Sequence, residues 1–381
     1  MGPLEGLRVI ELAAIGPVPM CCMLLADLGA DVIRIDRLEP SGLGVTMARR
    51  HEVNARSRRS AAIDLKSPAG RDAVLALVAG ADVLVEGFRP GVTEKLGLGP
   101  ADCLERNPRL VYGRMTGFGQ SGPLAQAAGH DLNYIALTGV LHAIGPAGGK
   151  PVPPLNLVGD YGGGALYLAF GVLAALFERQ RSGRGQVVDA AMVDGAASLA
   201  SIFNGLAAGG TWNLAERGAN LLDGGAPFYD TYETADGRWV SIGALEPKFF
   251  AELARRIGLP ERFVGRQYDR RLWPEMREAI AGLVKARTRD AWSALLEGSD
   301  ACFAPVLTLE EAPRHRHAQE RGGYVELEGV VQPGPAPRFD RTPPGAPRPA
   351  PEVGQHTEAV LREAGLDEAA LAALRAAGAI R

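Results

Sequence analysis

The chain has 381 residues, 46% of them hydrophobic and 22% charged, which is too long for one ordinary core and suits a soluble globular protein of two domains. Lysine and arginine number 41 against 44 acidic residues, a net charge of -3, so there is no global basic field of the kind that binds nucleic acid or an anionic membrane surface. A small-molecule partner is the expectation that remains.

The N-terminal "MGPLEGLRVIELA" has an acidic residue before a short apolar run, unlike the basic start of a secretory signal. "LRVIELA" reads as a strand, residues 19 to 29 as a helix closing at Gly29, and "DVIRIDR" as a second strand. "GRDAVLALVAGADVLVEGF" reads as a helix feeding a third strand, and "RLVYGRMTGFG" as a fourth. Repeated short strand and helix units predict an α/β fold with a parallel sheet covered by helices, a Rossmann-like opening. Its first turn, "LAAIGPVPM", carries one glycine and two prolines where a dinucleotide fingerprint needs GxGxxG, so Asp36 reads as a plain strand-end residue. The basic run "ARRHEVNARSRRS" reads for most of its arginines as a solvated loop.

Cys21, Cys22, Cys103 and Cys302 follow no CxxC spacing, which predicts reduced, mostly buried thiols, no metal site and a cytoplasmic protein. The longest apolar run, "ALYLAFGVLAALF" at 165 to 177, is short for a bilayer and suits a buried helix, so no membrane is expected. From about residue 186 the pattern loosens through "GTWNLAERGANLLDGGAPFYD", a linker or crossing segment. Residues 226 to 320 then read as a smaller α+β unit. In it "FYDTYETADGRWVSIGA" holds an Asp-Gly turn between two β-rich runs, and "KFFAELARRIG" and "DAWSALLEG" follow as helices. The proline-rich stretch at 331 to 351 is expected to run extended over the surface, and a helical tail closes the chain.

His130 alone reads as a capping or core histidine, Asp131 as a first-turn helix acid, and Asp160 in "LVGDYGGGALYLAF" as an N-cap. Together they put a histidine and a carboxylate at the starts of two helices, each beside glycine that lets a ligand approach the backbone.

"GHDLNYIALTGVLHAIG", "PPLNLVGDYGGGALYLAFGVLAALFER", "GQVVDAAMVDG", "RGANLLDGGAPFYDTYETADGRW" and "DACFAPVLTLEEA" resemble, in that order, the α-methylacyl-CoA racemases within the family III CoA-transferase superfamily. The likeness runs from "LRVIELA" to "GQHTEAVL". It implies the family III CoA-transferase fold and an interlocked homodimer. The large Rossmann-like CoA-binding domain would span 1–200, completed by 331–381. A linker at 201–225, a small α+β domain at 226–320 and a return linker at 321–330 would make up the rest.

The resemblance also implies a reaction: inversion of the α-carbon of a 2-methylacyl-CoA thioester by 1,1-proton transfer through an enolate. His130 and Asp160 would be the two acid/base groups, a division of labour that their residue types support near neutral pH. Glu246 matches a glutamate that pairs with the histidine from the partner subunit, and Lys248 stands where glutamine is expected. A helix starting after His130 would aim backbone N–H groups, that of Asp131 included, at the enolate oxygen. Gly129, Leu132, Asn133 and Tyr134 would line the substrate there. Arg37, the segment Ile63, Asp64, Leu65 and Lys66, and Arg89 would meet CoA. CoA is then part of the substrate and no separate cofactor is implied. The rival within the superfamily is a CoA transferase in which Asp160 attacks the thioester and carries the acyl group as an anhydride; it needs no histidine at 130.

Overall fold

The computed structural model describes residues 2–39, 42, 44, 45 and 47–381. The chain divides into two compact units, Met1–Thr138 with Leu155–Leu199 and Gln319–Arg381, and Gly139–Pro154 with Ala200–Ala318. The excursion at 139–154 thus goes with the second unit rather than with the first 200 residues. Within that unit the Arg217 guanidinium donates to the carbonyl of His142 at 2.7 Å and to that of Gly149, a pairing across some 70 positions that local pattern does not reveal.

In the first unit, β1 (Arg8–Leu12), β2 (Asp31–Asp36), β3 (Arg59–Ala62), β4 (Val83–Glu86), β5 (Val111–Thr116) and β6 (Val187–Ala191) form one sheet in the order β3-β2-β1-β4-β5-β6. Every pairing is parallel, for example Val9 against Val32 on one side and Val83 on the other. Helices α1 (Pro17–Asp27), α2 (Pro68–Ala79), α3 (Val92–Lys95) and α4 (Pro100–Arg106) connect the first five strands. Sequence pattern missed β3, whose "RSAA" lacks β-branched residues, and β6, an edge strand with only its last two residues buried.

Alternate residues of each strand feed opposite cores. Ile10, Ile33, Leu84 and Tyr112 pack with Val74 and Leu77 of α2 and with Val360, Leu361, Leu371 and Leu374 of the C-terminal helices Thr357–Glu363 and Glu368–Ala376. Val9, Val32, Val83 and Val111 pack with Val18, Cys21, Cys22 and Leu25 of α1. The helical tail is therefore one wall of the first core.

The basic run at 48–60 is not a solvated loop. Arg56 and Arg58 are 2% and 3% exposed. Arg56 forks onto Asp27, with Nη2 2.5 Å from Oδ2. Arg58 Nε lies 2.5 Å from Glu11 Oε2 without the alignment of a hydrogen bond, so that contact is ionic. Arg59 reaches Asp31 and Glu363, and Arg49 reaches Glu328 and Glu352. The acidic partners lie far away in sequence, which is why the run looked unmatched.

After α5 (Asp131–Leu137), and after α6 (Val140–Ala143) of the second unit, a π-helical stretch at Leu157–Leu166 runs straight into α7 (Tyr167–Ser182). The two make one 26-residue element, Leu157–Ser182, long and apolar enough to cross a bilayer by length and composition. The apolar run is thus longer than its sequence suggested, because "DYGGG" reads as a break but is helical. The long element is also only half-buried: Leu168, Val172 and Leu176 enter the second core, while Leu166, Phe170 and Phe177 are 51%, 73% and 65% exposed. The glycines allow close crossing with α8 (Met192–Leu199). A Cβ at Gly195 would overlap the carbonyl of Gly163.

The second unit holds a three-stranded antiparallel sheet of β7 (Tyr229–Glu233), β8 (Trp239–Gly243) and β9 (Phe303–Pro305). Around Phe228, Phe250, Trp273, Met276 and Trp292, helices α10 (Pro247–Ile257), α11 (Trp273–Lys285) and α12 (Arg289–Leu296) complete its core. The stretch expected as a linker at 201–225 is structured. It opens with α9 (Ser201–Ala208) and then folds around Asn220, 1% exposed, which bonds Asn213 and Asp223. The expected return linker is a hairpin, Tyr324–Leu327 with Val330–Pro333, whose turn residues Glu328 and Gly329 both have positive φ.

Candidate active site

Strand order reverses between β1 and β4, and ligands of such sheets bind beyond the carboxyl ends of the strands. The residues that follow those ends include Ile15 and Gly16 after β1, Arg37 after β2, Ile63 to Lys66 after β3 and Arg89 after β4. Arg37, Lys66 and Arg89 are exposed. Ile63 is a core residue, 1% exposed and bridged to Ile380, and Leu65 packs against the same core. Their side chains hold the segment in place. Asp64 turns it, receiving the Lys66 N–H at 3.0 Å on its carboxylate and donating its own N–H to Ala379.

His130 caps α5 from an extended backbone and is exposed. Its N–H donates to Asn133 Oδ1 at 3.0 Å, which fixes the entry into the helix. The first N–H groups of α5, on Asp131 and Leu132, have no acceptor within the helix. Leu132 is 44% exposed and Asn133 is exposed, whereas Tyr134 is buried. The Tyr134 ring stands edge-on to Phe118, 5.0 Å between centroids, and its hydroxyl donates to the Gly129 carbonyl. Burial, with Asp160 adding, pushes that hydroxyl up to about 12; the opposing charge of Arg89 puts this arginine near it.

Asp160 lies in the first turn of the π-helical stretch, half-buried. Its Oδ2 accepts from Asn156 Nδ2 at 3.2 Å, and its N–H donates to Asp131 Oδ2 at 2.7 Å. Burial raises the Asp160 pKa; the Asn156 bond opposes, the Asp131 charge adds, and the His130 charge opposes. The structure therefore brings His130, Asp131 and Asp160 together on two packed helices. A Cβ on Gly16, which has φ 70°, would come 3.4 Å from Asp160 Oδ2. So the loop after β1 also borders the carboxylate.

Sequence reasoning overlooked Asn156 and Gly16, and read the glycine beside Asp160 only as room for a ligand. Asn156 stands four positions before Asp160 in "LNLVGDYGGG", close enough to have been suspected. Glu246 belongs to the second unit, exposed at the N-cap of α10, with Cys302 near enough to feel its charge. Among the described residues no group of three or more His, Cys, Asp or Glu is arranged to hold a metal ion.

A parallel sheet in this order, with a histidine and an acid at two helix starts beyond it, defines a class. Residues 4–357 match the model of CoA-transferase family III, and the chain belongs to that family. It is 48% identical over 368 residues to the alpha-methylacyl-CoA racemase of Mus musculus, covering 96% of this chain and 94% of that protein. It is 45% identical over 367 residues to the alpha-methylacyl-CoA racemase of Homo sapiens, covering 95% and 93%. A solved structure, the hypothetical protein Rv3272 of Mycobacterium tuberculosis, matches with a TM-score of 0.79 at 29% identity, over 94% of this chain and 99% of that one.

Proposed function

We propose that the protein is an α-methylacyl-CoA racemase, which inverts the carbon beside the thioester carbonyl of a 2-methylacyl-CoA. The observation that carries this is the pair of proton-transfer groups, His130 and Asp160, at the starts of two packed helices with free helix N–H groups beside them. In one direction the Asp160 carboxylate takes the α-proton while His130, as imidazolium, gives its proton to the opposite face. The protein is left with protonated Asp160 and neutral His130, the state that converts the other enantiomer. Burial raises the Asp160 pKa, so this group can donate as well as accept. Between the two transfers the negative charge sits on the thioester oxygen, where the N–H groups of Asp131 and Leu132 at the start of α5 would hold it.

No electron changes hands in this sequence and no proton is gained or lost overall, so no redox cofactor is needed, and the helix N–H groups take the place a metal would have at the enolate oxygen. CoA enters as part of the substrate, its phosphates met by Arg37, Lys66 and Arg89 and its chain passing Asp64 and Gly129. The site is completed in a homodimer by Glu246 of the partner subunit, oriented toward the histidine, as the family resemblance implies. The exposed apolar row Leu166, Phe170 and Phe177 on one face of the long helix supports such an association. Four free thiols, three of them buried, suit a reducing compartment such as the cytoplasm.

A pure enantiomer of a 2-methylacyl-CoA incubated in D₂O should gain α-deuterium and lose its chirality, undiminished by EDTA. Acyl transfer to an acceptor acid without inversion would instead make Asp160 the nucleophile of a CoA transferase. Light scattering at micromolar concentration should give the dimer mass; an active monomer would contradict the shared site.

A further inference from the structure

Asp131 is 5% exposed, although a first-turn acid can serve a helix dipole from solvent. Its Oδ2 accepts the Asp160 N–H at 2.7 Å, tying the start of one helix to the start of another 29 positions away. Gly159 makes room for this: a Cβ there would come 2.6 Å from Asp131 Oδ2 and 3.2 Å from the Ile135 side chain. Oδ1 is buried with no hydrogen-bond partner, an unfavourable state for a carboxylate that neither helix requires for its own sake.

We infer that the Asp131 side chain, seated against Gly159, is a positioning residue that locks the backbone of Asp160 to the start of α5, so that both proton-transfer groups and the oxyanion donors keep one geometry. The inference rests on the racemase reading for its kinetic consequences and on geometry alone for the lock. The same side chain also sets charge. From α5 the charged groups acting on Asp160 are Asp131, which raises its pKa, and His130, which lowers it; the uncharged Tyr134 hydroxyl stands near. Asn156 donates from the preceding turn, and Gly16, just before α1, is uncharged. Asp27 of α1, Asp189 of β6, Asp194 of α8 and the charged end of α7 are not among the groups acting on Asp160.

The test uses the full-length protein with Asp131→Asn, Asp131→Ala, Gly159→Ala and the double variant Asp131→Ala/Gly159→Ala. Asn keeps an acceptor for the Asp160 N–H; Ala does not. Amide hydrogen exchange at Asp160 should stay slow in Asp131→Asn and speed up at least about tenfold in Asp131→Ala, as expected for a released N–H. The kcat for inversion should fall about 100-fold in Asp131→Ala, the scale of a misplaced catalytic group, with KM little changed, and less than about tenfold in Asp131→Asn, where placement is kept. In Asp131→Asn the acid limb of the pH profile should move to lower pH, because the neighbouring negative charge is gone. Gly159→Ala should slow inversion strongly on its own yet add little to Asp131→Ala, where the carboxylate it would displace is absent and only the 3.2 Å approach to the Ile135 side chain remains. Unchanged exchange at Asp160 in Asp131→Ala overturns the lock whether or not the protein racemises. Equal kcat losses in the Asn and Ala variants or additive effects in the double variant overturn the positioning role, and an unmoved acid limb overturns the charge effect. Absence of α-deuteration in the wild type fails the racemase reading separately, and the exchange data still decide the lock.

Discussion

Arg56 and Arg58 stand in one part of the first unit, and Arg37, Lys66 and Arg89 in another. The first two are buried, each against a carboxylate, Asp27 and Glu11, and Arg58 also donates to the carbonyls of Asn54 and Pro19. The other three follow the carboxyl ends of β2, β3 and β4, are exposed, and make no ion pair with any described residue. A guanidinium taken out of water must be matched by charge and hydrogen bonds. A cation left unmatched at the end of a parallel sheet is available to a phosphate. The contrast teaches that basic composition alone separates neither set; partners in the fold mark the structural arginines, and position beyond the strand ends marks the cations that the proposed CoA site would use.

Four substitutions sharpen that contrast. The largest effect is expected from Arg58→Ala, which leaves Glu11 buried without its contacting partner and with only the charge of Arg34 to oppose burial; urea unfolding should show a loss of about 3–5 kcal/mol. Burial already raises the Glu11 pKa against the pull of Arg58, so removing the arginine should drive it to bind a proton, and the loss should be greater at neutral than at acidic pH. Next come Arg37→Ala and Arg89→Ala, each expected to raise KM for an acyl-CoA about tenfold through one lost charged contact, with the unfolding midpoint unmoved and a weaker dependence of KM on salt. A stable protein with unchanged KM would break the division. The smallest effect belongs to Arg362→Ala, whose partners Glu358 and Glu368 have side chains 41% and 71% exposed; its melting temperature should match the wild type.

The first two strands, α1, the tail and the hairpin of the second unit were legible because each carries its own period or turn. "RSAA" of β3 and "VVDAA" of β6 were not, since their pairing comes from neighbours in the sheet rather than from their own composition. The π-helical stretch was hidden by glycines that look like breaks but serve the crossing with α8. At the site, His130, Asp131 and Asp160 could be named from residue type and resemblance. The bond from the Asp160 N–H to Asp131 could not, because a contact between the starts of two helices 29 positions apart leaves no periodic trace.

The central claim is that His130 and Asp160 each serve one face of the substrate. Its most direct test is the rate of α-deuteration and of inversion for each pure enantiomer of a 2-methylacyl-CoA, with His130→Ala and with Asp160→Ala. Inversion should fall by about 10²- to 10⁴-fold in both variants, while residual deuteration persists for one enantiomer in His130→Ala and for its mirror image in Asp160→Ala. Since burial raises the Asp160 pKa, the direction that uses it as base should lose rate on acidification at a pH above the ordinary aspartate range of about 3.9. Near-normal inversion of both enantiomers by His130→Ala would contradict the account and leave His130 as no more than the cap of α5.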